Sequence, residues 1–225
     1  MRQISSLYWE DVGMTPTWQD EEKVDEYVGR VGRLAARAAG EAELVEALPA
    51  RCERVLDVGS GDGRLIEVAI GARPSVAAAI GLDNSPPMIA RARKRFADEP
   101  RVVIKDHDLW SALPDLEAFD VITSGFAIHH LSHERKQTLF GEIASRLRPG
   151  GVFANLEVVQ CATSDLQQEF YRRIDRPGGD PEDVLAGVEE QLEWMRAAGL
   201  VDVDCYWRWR GFALLCGRSP NAACA

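Results

Sequence analysis

Two kinds of apolar spacing divide the chain. From about Asp20 to Leu48 the residues Val24, Tyr27, Val28, Val31 and Leu34 recur at helical intervals in a run rich in Ala, Glu, Arg and Leu. This predicts one amphipathic helix, ended by Pro49. From Arg54 onward short apolar runs take over, and 55–58, 77–82, 102–104, 121–123 and 152–159 read as strands. Between them 64–71, 86–96 and 133–147 read as helices, the last closed by Arg146, Arg148, Pro149 and Gly150. Such alternation, with strands that look buried on both sides, implies a parallel sheet covered by helices on both faces. A further helix over 182–198 stops at Gly199, and two β-rich runs follow at 201–209 and 212–216. Only Arg210 and Gly211 separate them, which forces an antiparallel pair because a parallel crossover needs a dozen residues or more. The predicted architecture is α/β: a mostly parallel sheet, helices on both faces and a C-terminal antiparallel hairpin, in one domain.

Composition narrows the function classes. With 225 residues, 46% apolar and 28% charged, the chain has the makeup of an ordinary globular domain. Acidic residues outnumber basic ones 36 to 26, a net charge of -10, which argues against a broad nucleic-acid surface. The longest apolar runs are far too short to span a bilayer, and residues 1–10 lack the apolar core of a secretory signal. Five cysteines are scattered without a CxxC pair, so neither a disulfide framework nor a metal site is expected, and a cytoplasmic location is.

In a sheet of this kind ligands bind beyond the carboxyl ends of the strands, where the strand order reverses. The first strand runs into Asp57-Val58-Gly59-Ser60-Gly61-Asp62-Gly63. Glycines allow a tight turn and close approach of a ligand to the backbone, but they serve a plain turn equally well. The discriminating feature is charge. Asp57 and Asp62 sit where a pyrophosphate would otherwise meet a helix N-terminus, position 64 is Arg rather than a small residue, and the Walker Lys-Ser/Thr ending is missing. An acidic glycine loop suits a ligand with cationic groups, such as an amino-acid ammonium or a sulfonium. The next strand ends at Gly81-Leu82-Asp83-Asn84, with Asp83 24 residues after Gly59. An acid at that place accepts from ribose hydroxyls, whereas Ser85 is equally able to cap the helix before Pro86. The third strand ends at Lys105-Asp106-His107-Asp108, whose carboxylate edge and His107 amide suit an adenine.

Taken together these motifs resemble the class I S-adenosylmethionine-dependent methyltransferases. The resemblance rests on Val55–Gly63, Gly81–Ser85, Asp106–Asp108, Phe119–Ser124 and Leu147–Gly151, and covers roughly Arg54 to Val158. It implies a three-layer, Rossmann-like fold of seven strands with an antiparallel last hairpin, and S-adenosyl-L-methionine as cofactor. It further implies that the Gly59–Gly63 loop, with Ser60 and Gly61, cradles the methionine and ribose portions. Asp57 would lie near the ammonium group, Asp83 with Asn84 at the ribose, Asp106 and His107 at the adenine, and Ser124 on the methionine side of the transferable methyl.

The substrate side is less marked. His129 and His130 follow the fourth strand, in a loop that faces the cofactor mouth in the resembling family, and are the candidate general bases, His130 ahead of His129. A His-His-Leu run before a helix packs or caps that helix equally well. Residues 1–50, with Tyr8, Trp9, Trp18 and Tyr27, are expected to form a helical lid, and 160–180 an insertion over the acceptor site. Arg172, Arg173 and Arg176 in that insertion are more simply a solvated face than an anion clamp, and Trp207 and Trp209 are expected in the core. The expected partner is a small-molecule acceptor, with the chain a monomer or homodimer. Weighed against methyl transfer are three alternatives. The 206–212 tail distantly resembles carboxy-S-adenosylmethionine synthases, whose longer arginine-bearing insertion is missing here, and tRNA modification is disfavoured by the acidic charge. A non-catalytic S-adenosylmethionine-binding protein and an NAD-dependent oxidoreductase complete the set, the latter disfavoured by Asp57 and Asp62.

Overall fold

The computed structural model describes residues 17–32 and 34–221. Tyr8 and Trp9, expected in a lid, lie outside them. After a 3-10 turn at Thr17–Gln19 come α1 (Glu21–Val31) and α2 (Ala35–Ala47), followed by β1 (Arg54–Val58), α3 (Arg64–Ala72), β2 (Ala78–Asp83), α4 (Pro86–Arg95) and β3 (Val102–Asp106). The second half runs β4 (Phe119–Gly125), a 3-10 turn at Ile128–His130, α5 (His133–Arg146), β5 (Leu147–Val158), α6 (Ser164–Arg173), α7 (Val188–Ala197), β6 (Val201–Trp209) and β7 (Phe212–Arg218).

The seven strands form one sheet in the order β3-β2-β1-β4-β5-β7-β6. β1 to β5 pair in parallel, and β7 runs antiparallel to both β5 and β6. The C-terminal hairpin is therefore as expected. Period-two alternation sends Val55, Val121, Ala154 and Leu214 to one face, against Leu44 of α2, Ile66 of α3, Ile89 of α4 and Phe170 of α6. Leu56, Ile122, Phe153 and Leu215 go to the other, against Leu139 and Phe140 of α5 and Leu192 and Met195 of α7. Because β2 and β3 lie on one side of β1 while β4 and β5 lie on the other, the order reverses between β1 and β4, and a crevice opens beyond their carboxyl ends.

Three sequence expectations are corrected here. The helix predicted from Asp20 to Leu48 is two helices: Gly32 closes α1 with its amide on Val28 O at 3.1 Å, and Leu34 takes an extended conformation before α2. The helix predicted over 182–198 starts only at Val188, with Gly187 at its N-cap. Residues before it stay out of the helix because their backbone groups bond elsewhere: Val184 N donates to His129 O at 2.9 Å and Gln160 N to Ala186 O at 3.0 Å. Trp207 and Trp209 are partly buried against the edge of the core rather than enclosed in it.

Candidate active site

β1 delivers the chain into a loop that needs glycine. Gly59, Gly61 and Gly63 all have positive φ, at 70°, 52° and 83°. A Cβ on Gly59 would lie 2.2 Å from the Ala127 Cβ, so the close approach of two backbones leaves no room for a side chain. The neighbouring strand end holds the loop open: Ser60 N donates to Leu82 O at 2.8 Å, and Gly61 N to Asp83 Oδ2 at 2.7 Å. Asp83 also accepts from Ser85 N at 2.9 Å, while the Ser85 hydroxyl caps α4 by accepting from Met88 N. The helix cap weighed for Asp83 is thus supplied by Ser85.

The cleft built on this loop has a volume of about 1000 Å³. Asp57, Gly59, Ser60, Gly61, Asp83 and Asn84 all line it, with Met88 and Leu109 beside them. Asp57 is 1% exposed and accepts from the Thr123 hydroxyl at 2.8 Å. Burial pushes its pKa up to about 7, and the charges of Asp83 and Asp62 add to the rise. Asp83 is raised chiefly by burial as well. Among the described residues no basic side chain forms an ion pair with either. Asp62, by contrast, is paired with Arg95, and Glu41 is held by Arg37 at 2.9 Å and Arg64 at 2.7 Å. The uncompensated acidity therefore lies at Asp57 and Asp83, not across the whole loop.

Three residue-level expectations are corrected by the geometry. Ser124 is fully buried, donates its hydroxyl to Val58 O at 2.7 Å and does not line the cleft. It follows Thr123, and adjacent strand residues face opposite ways; Thr123 is the one that meets Asp57. Asp106 is exposed and outside the lining, whereas Asp108, two residues on, lies in it. The His107 amide is already donated to Asp83 O at 2.8 Å, because the parallel ladder continues past the strand ends. His107 lines the cleft with its side chain instead, and its buried Nε2 has no hydrogen-bond partner.

Past β4 the chain turns through Phe126, which has a φ of 54°, into the turn that carries the two histidines. His129 lies behind the cleft wall. Its amide donates to Glu157 Oε2 at 3.0 Å and its Nδ1 lies 2.6 Å from Glu157 Oε1. His130 lines both the cleft and a smaller cavity behind it, and its ring stands edge-on to Trp18 at 5.4 Å. Burial pushes both imidazoles down to about 3, so neither has the near-neutral pKa on which the general-base expectation rested. Glu157 is pushed up to about 7, again by burial.

Trp18, Tyr27, Val31, Leu34 and Phe126 extend the cleft into an apolar and aromatic wall. Trp18 and Tyr27 pack edge-to-face at 4.9 Å. Phe170 and Tyr171 of the expected insertion are buried, Arg172 is exposed, and Arg173 and Arg176 are paired with Glu169 and Asp180. Sequence reasoning missed Arg37, Glu41, Glu157 and Asp183. Each lies far along the chain from the motif it serves, and none belongs to a local pattern.

Comparison with known proteins agrees with this geometry. Residues 55–151 match a family described as methyltransferase domain. The chain is 34% identical over 181 residues to a demethylmenaquinone methyltransferase of Roseiflexus castenholzii, an alignment covering 72% of this chain and 74% of that protein. It is 31% identical over 181 residues to a trans-aconitate 2-methyltransferase of Methylobacterium nodulans, covering 74% of this chain but only 64% of the relative's length. An O-methyltransferase family protein from Burkholderia thailandensis shares the fold, with a TM-score of 0.73 at 20% identity over 92% of this chain and 62% of that one. With the motifs, the sheet order and these relatives in agreement, the chain belongs to the class I S-adenosylmethionine-dependent methyltransferase family.

Proposed function

We propose that this protein transfers a methyl group from S-adenosyl-L-methionine to a small-molecule acceptor by in-line displacement. The observation that carries the reading is the pair of uncompensated acids, Asp57 and Asp83, beside a glycine loop that leaves space for a ligand against its backbone. The residues present fit such a cofactor. A cleft of about 1000 Å³ holds a nucleoside-sized ligand with room for an acceptor. Asp57 suits an ammonium and Asp83 a ribose diol, while Asp108 and the side chain of His107 take the adenine edge and Met88 and Leu109 contact its faces.

When bound, the cofactor supplies a methyl already activated by its sulfonium. The protein's work is then to align the acceptor and exclude water, which is worth roughly 7–11 kcal/mol of barrier when the reacting atoms are held in near-attack geometry. The apolar wall of Trp18, Tyr27, Val31 and Phe126 suits both tasks. Of the two candidate general bases, His130 lines the cleft and His129 does not, which supports contact of His130 with the acceptor. An acceptor reacting as a free amine, thiolate or other ready nucleophile needs no strong base here.

The test is transfer itself. Incubation with methyl-labelled cofactor and extracted metabolites gives labelled small molecules whose formation depends on the protein; labelled protein or RNA alone contradicts the reading. Asp83→Ala removes a ribose partner and frees the Gly61 amide. It is expected to weaken cofactor binding by about 1–3 kcal/mol, roughly 5- to 150-fold. An affinity unchanged in calorimetric titration removes Asp83 from the site.

A further inference from the structure

Behind His130 lies a second cavity, of about 50 Å³, walled by Trp18, Tyr27 and Phe126 and by His129, His130 and Asp183. His129 Nε2 stands 3.5 Å from Asp183 Oδ1, and His130 Nδ1 stands 3.6 Å from the same oxygen. The three donor atoms all lie within 4.8 Å of one another. These separations are too long for good hydrogen bonds. Asp183 Oδ1 and both ring nitrogens of His130 are buried without a hydrogen-bond partner, and the Asp183 side chain is only 9% exposed. They do match a metal site: two ligands about 2.0–2.2 Å from one tetrahedral ion lie about 3.3–3.6 Å apart.

The tautomer of His129 sharpens the argument. Glu157 accepts from the amides of His129 and Val158, at 3.0 and 2.7 Å, and its Oε1 lies 2.6 Å from His129 Nδ1. A carboxyl oxygen accepting from Nδ1–H at this distance turns the Nε2 edge of the ring toward Asp183. Nε2 and the unpartnered Asp183 Oδ1 then face each other at 3.5 Å, a pair that one shared cation satisfies. The basic side chains nearby are committed elsewhere, Arg30 of the cavity wall by donating to Ile174 O at 3.2 Å. Lys136 donates to the carbonyls of His129, Leu131 and Val184, and Arg176 pairs with Asp180. The same Lys136 contact and the bond from Val184 N to His129 O bring the loop bearing Asp183 against the histidine turn.

We propose that His129 Nε2, His130 Nδ1 and Asp183 Oδ1 bind a divalent first-row transition-metal ion. Glu157 orients His129 from behind, and the remaining coordination positions face the cavity. Two imidazoles and one carboxylate suit zinc, iron(II) or cobalt(II) better than calcium or magnesium, which prefer all-oxygen shells. The assignment runs against the expectation of no metal drawn from the cysteine pattern. It does not depend on the transfer reaction, and because His130 lines both spaces the ion lies at the back of the cleft.

The experiment is a calorimetric titration of chelator-treated full-length protein with zinc chloride, repeated with cobalt(II) and read by visible absorption. The expected result is one ion per chain, a dissociation constant below about 1 μM and cobalt ligand-field bands. Asp183→Asn is expected to weaken zinc binding at least about 100-fold, and Glu157→Gln by roughly 10- to 100-fold. S-adenosylmethionine affinity measured on Asp183→Asn separates loss of the site from loss of the fold, since Asp183 does not line the cofactor cleft. A folded wild-type protein that takes up no zinc, or a zinc isotherm that Asp183→Asn leaves unchanged, overturns the proposal, and either result leaves the cofactor reading intact.

Discussion

Replacing Gly59 with alanine lowers cofactor affinity by two orders of magnitude or more and destabilises the fold by about 2–4 kcal/mol. Two costs add. The residue has a φ of 70°, where an L side chain costs about 1–2 kcal/mol. The new methyl also meets the Ala127 Cβ at 2.2 Å, and that atom cannot turn aside because it is fixed to the backbone, so one loop must move. Overpacking of this kind typically costs about 1–3 kcal/mol. Both loops line the cleft, so the relief of the clash displaces the surface on which the ligand rests. Urea unfolding together with calorimetric titration of S-adenosylmethionine measures the two effects. Binding within threefold of wild type contradicts the close-approach account.

Asp57→Asn has opposite effects on stability and on binding. The carboxyl has a pKa of 3.8 in the unfolded chain and about 7 in the fold. The folded state therefore holds an extra proton between those values, and stability falls as pH rises from about 4 to about 7. Above pH 7 the penalty for a buried carboxylate is complete, on the order of 2–4 kcal/mol. Asparagine removes that penalty while its amide oxygen still accepts from Thr123. The variant is expected to be more stable than wild type at pH 8, by an amount that shrinks toward pH 4. Binding runs the other way. An ammonium needs the ionised form, so wild-type affinity weakens below about pH 7, by up to about tenfold per unit. The variant binds weakly and without that pH dependence. Parallel urea and titration series at pH 5, 6.5 and 8 test the pair of claims, and a variant less stable than wild type at pH 8 contradicts them.

The cofactor half of this protein was legible because its chemistry is local. Asp57, Gly59, Gly61 and Gly63 are contiguous with a strand, and Asp83 ends the strand that pairs with it. Placement failed where one residue of register decides the face. Ser124 and Asp106 were each assigned by their position at a strand end, yet the cleft takes Asp108, while Thr123 supports Asp57 from within. The acceptor side was hidden for a different reason. Asp183 lies in a stretch whose Glu, Leu and Val spacing reads as helix, but Val184 N donates to His129 O, Val184 O accepts from Lys136 and Ala186 O from Gln160 N, all outside that stretch, which keeps it from the helix. Glu157 sits in a mostly apolar strand with no local partner for its charge, so its pairing with His129 becomes visible only once β5 lies beside the histidine turn.

The most direct test of the central claim is a calorimetric titration with S-adenosylmethionine, S-adenosylhomocysteine and NAD under one set of conditions. Both sulfur-containing nucleosides are expected to saturate one site per chain while the dinucleotide, with its diphosphate set against Asp57 and Asp83, gives no heat of binding. Saturable NAD binding with no response to either of the other two would contradict the account.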